Sequence, residues 1–225
     1  MIGNDMVDIY VGPEKEHFHV HRAAICGKIP YFEKMFKDGG FAESYTKSAT
    51  FPEDDPESFD LLLGWVYQGS IKVPAVRTDD RGDPELSWKP NSLYKLAEKI
   101  CLSQLQGQVV DTLRDFDRQT YCLSCTKTIL NAYSETRKKS GLHRYYAQSL
   151  AFILVQGKTC STWTVNELTE AMSKEVELTR DVLTILRDSG GNVKDPVNEP
   201  DCKFHCHADG EPCYKDINKN DYDGK

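Results

Sequence analysis

The feature that most constrains this chain is a change of hydrophobic period near its start. Val7-Asp8-Ile9-Tyr10-Val11 and His17-Phe18-His19-Val20-His21 both alternate, and Gly12-Pro13 opens the turn between them. Successive side chains of a strand point to opposite faces, so this pattern predicts a β-hairpin with Val7, Ile9 and Val11 facing a core opposite Phe18 and Val20. From Arg22 onward, Ala24, Ile25, Ile29, Phe32, Met35 and Phe36 recur at mostly three- and four-residue steps. That is helical spacing, and Gly27 and Pro30 predict a break into two short helices.

Residues 46–51 have β-forming ends and predict a short third strand. Asp55-Pro56-Glu57 marks a helix start, because Asp55 can cap a free N–H and Pro56 loses no hydrogen bond in the first turn. Phe59, Leu62, Leu63, Val66 and Tyr67 then follow on one face while Leu61 and Trp65 make the other side apolar, which predicts a helix buried nearly all round. Residues 76–90 carry charges and turn formers without an apolar period and read as a surface loop. From Asn91 the helical pattern resumes through Leu93, Leu96, Ala97, Ile100, Cys101 and Leu105, and less regularly through Val109, Leu113 and Phe116, as one or two helices.

The second half reads as helical, over 123–133, 142–155 and a long element running from 164 to about 187. Thr164-Val165-Asn166-Glu167 opens that element with a capping-box pattern, and Gly190-Gly191 ends it. Beyond Gly191 the chain is polar, and residues 218–225 are too polar to pack.

The 225 residues, 39% hydrophobic, suffice for one domain with an accessory segment or for two small domains. A net charge of -7 offers no general attraction for phosphate backbones, so nucleic acid is not an expected partner. No run approaches the roughly 20 apolar residues of a membrane span, and Met1 to Asp5 lacks a secretory start. The expectation is a cytoplasmic or nuclear protein with no membrane partner, whose eight cysteines are buried thiols or metal ligands rather than disulfides.

Residues 5–105 resemble a BTB/POZ domain. The resemblance is carried by Asp8-Ile9-Tyr10-Val11-Gly12, Phe18-His19-Val20-His21-Arg22, Tyr31-Phe32-Glu33-Lys34-Met35-Phe36, Glu53-Asp54-Asp55-Pro56-Glu57-Ser58-Phe59 and Trp65-Val66-Tyr67-Gln68-Gly69. It implies an α+β fold, a small mostly mixed sheet covered by helices, followed here by an all-α C-terminal region. The expected organisation is a BTB/POZ domain over 5–116, a helical region over 117–190 and a polar tail over 191–225. The whole sequence is similar to BTB proteins numerous in filamentous fungi. The family binds proteins homotypically or heterotypically, and many members are substrate adaptors for cullin-type ubiquitin ligases. The resemblance thus implies a non-enzymatic adaptor or scaffold, with other proteins, a cullin, a ligase substrate or a second copy as partners. Long BTB domains exchange an extra strand and helix ahead of the Asp8 strand, and Met1 to Met6 is too short to supply them.

Phe41-Ala42-Glu43 falls where cullin-binding members of that family carry a hydrophobic residue, any residue, then glutamate. An apolar anchor would fill a partner pocket while the adjacent carboxylate fixes orientation. The plainer alternative is that Phe41 packs on its own domain and Glu43 is a solvated charge. The metal candidate is Cys202, His205, His207 and Cys213, with Cys206 as an alternative ligand. Cys202 and His205 sit a two-residue gap apart, His207 can return on the same side of an extended strand, and Cys213 follows the Asp209-Gly210 turn. Structural zinc is the natural occupant and would contribute up to ~10–16 kcal/mol to ordering a tail with almost no core of its own. The alternative is a flexible tail with incidental cysteines and histidines.

His17, His19 and His21 belong to the polar side of the hairpin, and Cys122 and Cys125 read as buried or partly buried thiols. Arg137-Lys138-Lys139 reads as solvated surface. No catalytic residue is expected. A competing function is a transcription-associated BTB protein whose Cys/His tail binds zinc and nucleic acid; the acidic net charge opposes it, and in place of a supporting basic segment near Cys202 there are only Lys203, Lys215, Lys219 and Lys225. A metal-dependent hydrolase at the tail is a third, disfavoured because four protein ligands leave no open position.

Overall fold

The computed structural model describes residues 4–72, 75–78, 82, 84–156, 163–207 and 212–216. The chain divides into two compact units, Met1–Arg77 with Leu86–Leu102, and Thr78–Glu85 with Ser103–Lys225.

In the first unit, strands β1 (Met6–Val11) and β2 (Glu16–His21) form the expected antiparallel hairpin, with Ile9 opposite Phe18 and Val7 opposite Val20. Val7, Ile9 and Val11 are fully buried, as the alternation requires. The chain continues into α1 (Arg22–Lys28) and α2 (Pro30–Met35). Pro30, rather than Gly27, sets the break: Gly27 stays inside α1, while Ile29 is extended, as a residue before proline prefers. After α3 (Ala42–Thr46), strand β3 (Ser48–Phe51) returns parallel to β1, giving the order β2-β1-β3.

Helix α4 (Pro56–Gln68) starts where Asp55 predicts, with the Asp55 carboxylate accepting from the Ser58 backbone N–H at 3.0 Å. Phe59, Leu62, Trp65 and Val66 are buried, and the rings of Phe32, Phe51 and Phe59 meet over the sheet at centroid distances of 5.7 to 6.4 Å. Tyr67 departs from the expected all-round burial. It is 45% exposed and receives the His21 backbone N–H on its hydroxyl, because a phenol keeps one end polar.

The stretch 76–90, read as a loop, contains two three-residue strands, β4 (Val76–Thr78) and β5 (Pro84–Leu86), which among the described residues pair with each other as a two-stranded sheet. Their bonds are backbone bonds on an exposed ribbon, so no apolar period announces them. Trp88 is buried beside this ribbon in sequence, and α5 (Pro90–Lys99) follows. Lys99 pairs with the buried Asp54 at 2.5 Å.

The second unit is helical: α6 (Ser103–Thr120), α7 (Thr126–Glu135), α8 (Gly141–Gln156), α9 (Val165–Lys174) and α10 (Val176–Asp188). Helix α8 lies at its centre, with Leu142, Tyr145, Tyr146, Leu150 and Ala151 fully buried. Thr164 and Glu167 form the expected capping box. The long helix expected from 164 to 187 is instead two, because Glu175 is extended and caps the Glu177 N–H at 3.0 Å.

The tail is not free of core. Val193, Val197 and Phe204 are buried against the second unit. Residues 218–225 lie outside the described residues. The expected boundary at 116/117 falls within α6, whose packing belongs to the second unit. Among the described residues, no helix is long and apolar enough to cross a membrane.

Candidate functional site

Two groups of side chains stand out, one in each unit. In the first unit, Phe41 is the N-cap residue of α3, and Ser44 closes the helical turn by bonding its N–H and hydroxyl to the Phe41 carbonyl at 3.0 and 2.7 Å. The segment is held at both ends. Arg22 donates to the Phe36 carbonyl and pairs with Asp38 at 3.1 Å and with Asp5 at 3.3 Å, while Lys47, just past α3, pairs with Asp5 at 2.6 Å. Hydrogen bonds from Lys47 and then Arg22 hold the Asp5 carboxyl below its ordinary value.

Phe41 is 64% exposed, so it does not pack on its own domain. Glu43 is half-buried in the first turn of α3. Tyr45, one turn after Phe41, is 74% exposed and was not anticipated from the sequence. Its signal was the four-residue spacing from Phe41, which places two aromatic rings on one side of a short helix.

In the second unit, three of the four expected metal ligands converge. One ligand atom each from Cys202, His205 and Cys213 lies within 4.8 Å of the others. His205 Nδ1 is 3.3 Å from Cys213 Sγ. His205 and Cys213 are buried and Cys202 is exposed. His207 is exposed and does not join the group. Cys206 points elsewhere, its sulfur accepting the Gly141 N–H at 3.0 Å.

Sequence reasoning missed Asp111 of α6. Its Oδ2 lies 3.0 Å from His205 Nε2 and 2.9 Å from Lys215 Nζ, accepts from the Tyr214 hydroxyl, and its Oδ1 lies 3.3 Å from Arg114. Burial raises its pKa, but contacts to His205, Tyr214 and Lys215 outweigh burial and bring it to about 2. Burial likewise disfavours the charged form of His205, and Asp111 together with Cys213 reverses this, raising its pKa. For Cys213, burial raises the thiol, while the Lys215 backbone, His205 and Cys202 lower it below its ordinary value. The available signal was the three-residue spacing of Asp111, Arg114 and Asp117, which lines three charged side chains along one side of α6, where all three are buried.

The remaining candidates resolve differently. His17 Nε2 and His19 Nδ1 both reach Asp8 Oδ1, at 2.7 and 2.9 Å, on the exposed polar side of the hairpin. Cys125 precedes α7 and contacts the Thr128 hydroxyl, and Cys122 is exposed rather than buried because it lies in the connection ahead of α7. Of the few tail lysines, Lys203 pairs with Glu199 at 2.9 Å and Lys215 with Asp111, both within the unit. Lys219 and Lys225 lie outside the described residues.

The sheet order, the helical crossover to β3 and the exposed aromatic pair define a small α+β module suited to meeting another protein surface. Residues 3–115 match the family model of the BTB/POZ domain, and the chain belongs to that family of protein-interaction modules, which is not a family of enzymes. Over 132 residues it is 24% identical to the human (Homo sapiens) Kelch repeat and BTB domain-containing protein 6, covering 59% of this chain and 18% of that protein. Over 56 residues it is 36% identical to the human Kelch repeat and BTB domain-containing protein 7, covering 25% of this chain and 8% of that protein. The chain therefore spans less than a fifth of the length of either relative.

Proposed function

We propose that this chain is a non-enzymatic adaptor that recruits a cullin through Phe41 and Glu43, as a substrate adaptor of a cullin-type ubiquitin ligase. The observation that carries the reading is the 64% exposure of Phe41 at the start of a short helix braced from both sides. A large ring held out in water by a fixed backbone loses little entropy on docking and gains the burial of its whole face. Glu43 supplies a carboxylate beside it that can fix the register of docking by charge-assisted hydrogen bonds. Tyr45 extends the apolar contact by one turn.

The test is co-purification of the full chain with cullins. The double change Phe41→Ala, Glu43→Ala should abolish it, and Tyr45→Ala should weaken it by on the order of tenfold, about 1.4 kcal/mol, as for a secondary anchor at an interface. All three residues are partly or largely exposed, so Tm should stay within about 1–2 °C of the parent. Failure of the intact protein to co-purify with any cullin would reduce the function to general scaffolding.

A further inference from the structure

We propose that Cys202, His205 and Cys213 bind one zinc ion, with Asp111 of α6 as the positioning residue behind His205, and that this ion fastens the tail to α6. The inference concerns the second unit alone and stands whether or not the adaptor reading holds.

The geometry is close to that of a loaded site. Tetrahedral zinc, with bonds of about 2.3 Å to sulfur and about 2.0–2.1 Å to nitrogen, holds sulfur and nitrogen ligands about 3.5 Å apart. His205 Nδ1 and Cys213 Sγ are 3.3 Å apart, and Cys202 completes a triangle in which the ligand atoms lie within 4.8 Å of one another. Two thiolates and an imidazole suit zinc, whereas magnesium and calcium call for oxygen. On binding, both thiols release their protons to solvent, the two sulfur charges balance the ion, and the imidazole coordinates as a neutral base.

Asp111 determines which ring nitrogen faces the metal. Its Oδ2 lies 3.0 Å from Nε2, an ion-pair distance that favours the proton on that nitrogen, while Nδ1, 3.3 Å from Cys213 Sγ, is the ring atom on the side of the sulfur. A carboxylate behind a ligand histidine is the usual outer partner of a zinc site. His205 and Cys213 are buried and Cys202 is exposed, so the ion enters from the Cys202 side. His207 is exposed and outside the group, and a water molecule takes the fourth position. The Asp8, His17 and His19 group is a weaker candidate, because all three side chains are at least partly open to water and one carboxylate oxygen already serves both rings.

The experiment is titration of the reduced, metal-free full chain with Co²⁺, followed by displacement with Zn²⁺. One equivalent of Co²⁺ should give tetrahedral ligand-field bands with thiolate-to-metal charge transfer, and one equivalent of Zn²⁺ should erase them. Cys202→Ser and Cys213→Ser should lose the charge-transfer intensity expected for two thiolates, while His207→Ala should match the parent. Asp111→Asn should keep the one-to-one stoichiometry but bind ~10–100-fold more weakly with shifted ligand-field bands, a change that simple loss of packing would not produce. Should a cysteine variant fail to fold, the parent titration and the exposed His207→Ala control still decide the matter. The proposal is overturned by the absence of a saturable cobalt spectrum in the parent, by loss of that spectrum in His207→Ala, or by a Cys202–Cys213 disulfide in freshly purified protein. Parent-like affinity and spectrum in Asp111→Asn would overturn the role given to Asp111.

Discussion

Gly141 shows how much a single residue can carry without declaring it. A Cβ built there would lie 1.9 Å from the Phe204 carbonyl oxygen, so the tail backbone crosses the start of α8 where only hydrogen fits. The Gly141 N–H also reaches Cys206 Sγ, joining the tail to α8 by a polar contact. Gly141→Ala should therefore displace the tail and cost about 1–3 kcal/mol, the usual penalty of overpacking, read as a lower Tm and faster proteolysis after residue 191. In the sequence this glycine merely precedes the helical pattern of 142–155, because the backbone it must clear lies some sixty positions away. Phe41 and Tyr45 show the reverse limit. Their spacing was visible, but alternation and helical period cannot separate an exposed ring from a core one on a helix as short as α3.

Elements with strong local signals formed where their residues dictated. The hairpin, the Asp55-capped α4 and the Thr164 capping box each rest on contacts within a few residues or on one two-residue period. The break between α9 and α10 was hidden, because Val165 to Arg187 has continuous helical spacing and Glu175 is an ordinary helix former until its side chain turns back as a cap. Helix α6 depends on distant partners. Arg114, 2% exposed, lies 3.3 Å from Asp111, donates to the Val197 and Glu199 carbonyls, and its guanidinium stacks 5.3 Å from the Phe204 ring. Arg114→Ala should destabilise the second unit by about 3–5 kcal/mol, since buried acceptors and a carboxylate lose their cation, and chemical denaturation followed by circular dichroism would measure it. Arg114→Lys should restore only part of this loss, because one ammonium cannot serve the same fork of acceptors.

At the scale of the whole molecule, Asp117 ties stability to pH. It is 3% exposed, accepts the Tyr145 hydroxyl at 2.5 Å, and burial raises its pKa from 3.8 to about 8, with Asp195 adding repulsion. Between these values the folded chain keeps a proton that the unfolded chain has released. Stability from this group is therefore fully present below pH 3.8, falls as pH rises toward 8, and levels off beyond it. Asp117→Asn removes that slope. Its Tm should exceed the parent's near pH 8 and the two should converge below pH 4, which thermal scans across that range would check.

The sequence by itself determined the family, the order of most elements and the faces that turn inward, because hydrophobic period and capping act over neighbouring residues. Only the tertiary structure decided that Phe41 stands in water, that His207 stays out of the Cys/His group, and that Asp111 enters it. Those outcomes depend on chain segments far apart in sequence coming within a few ångströms, where excluded volume and buried charge select among arrangements that local pattern leaves equal.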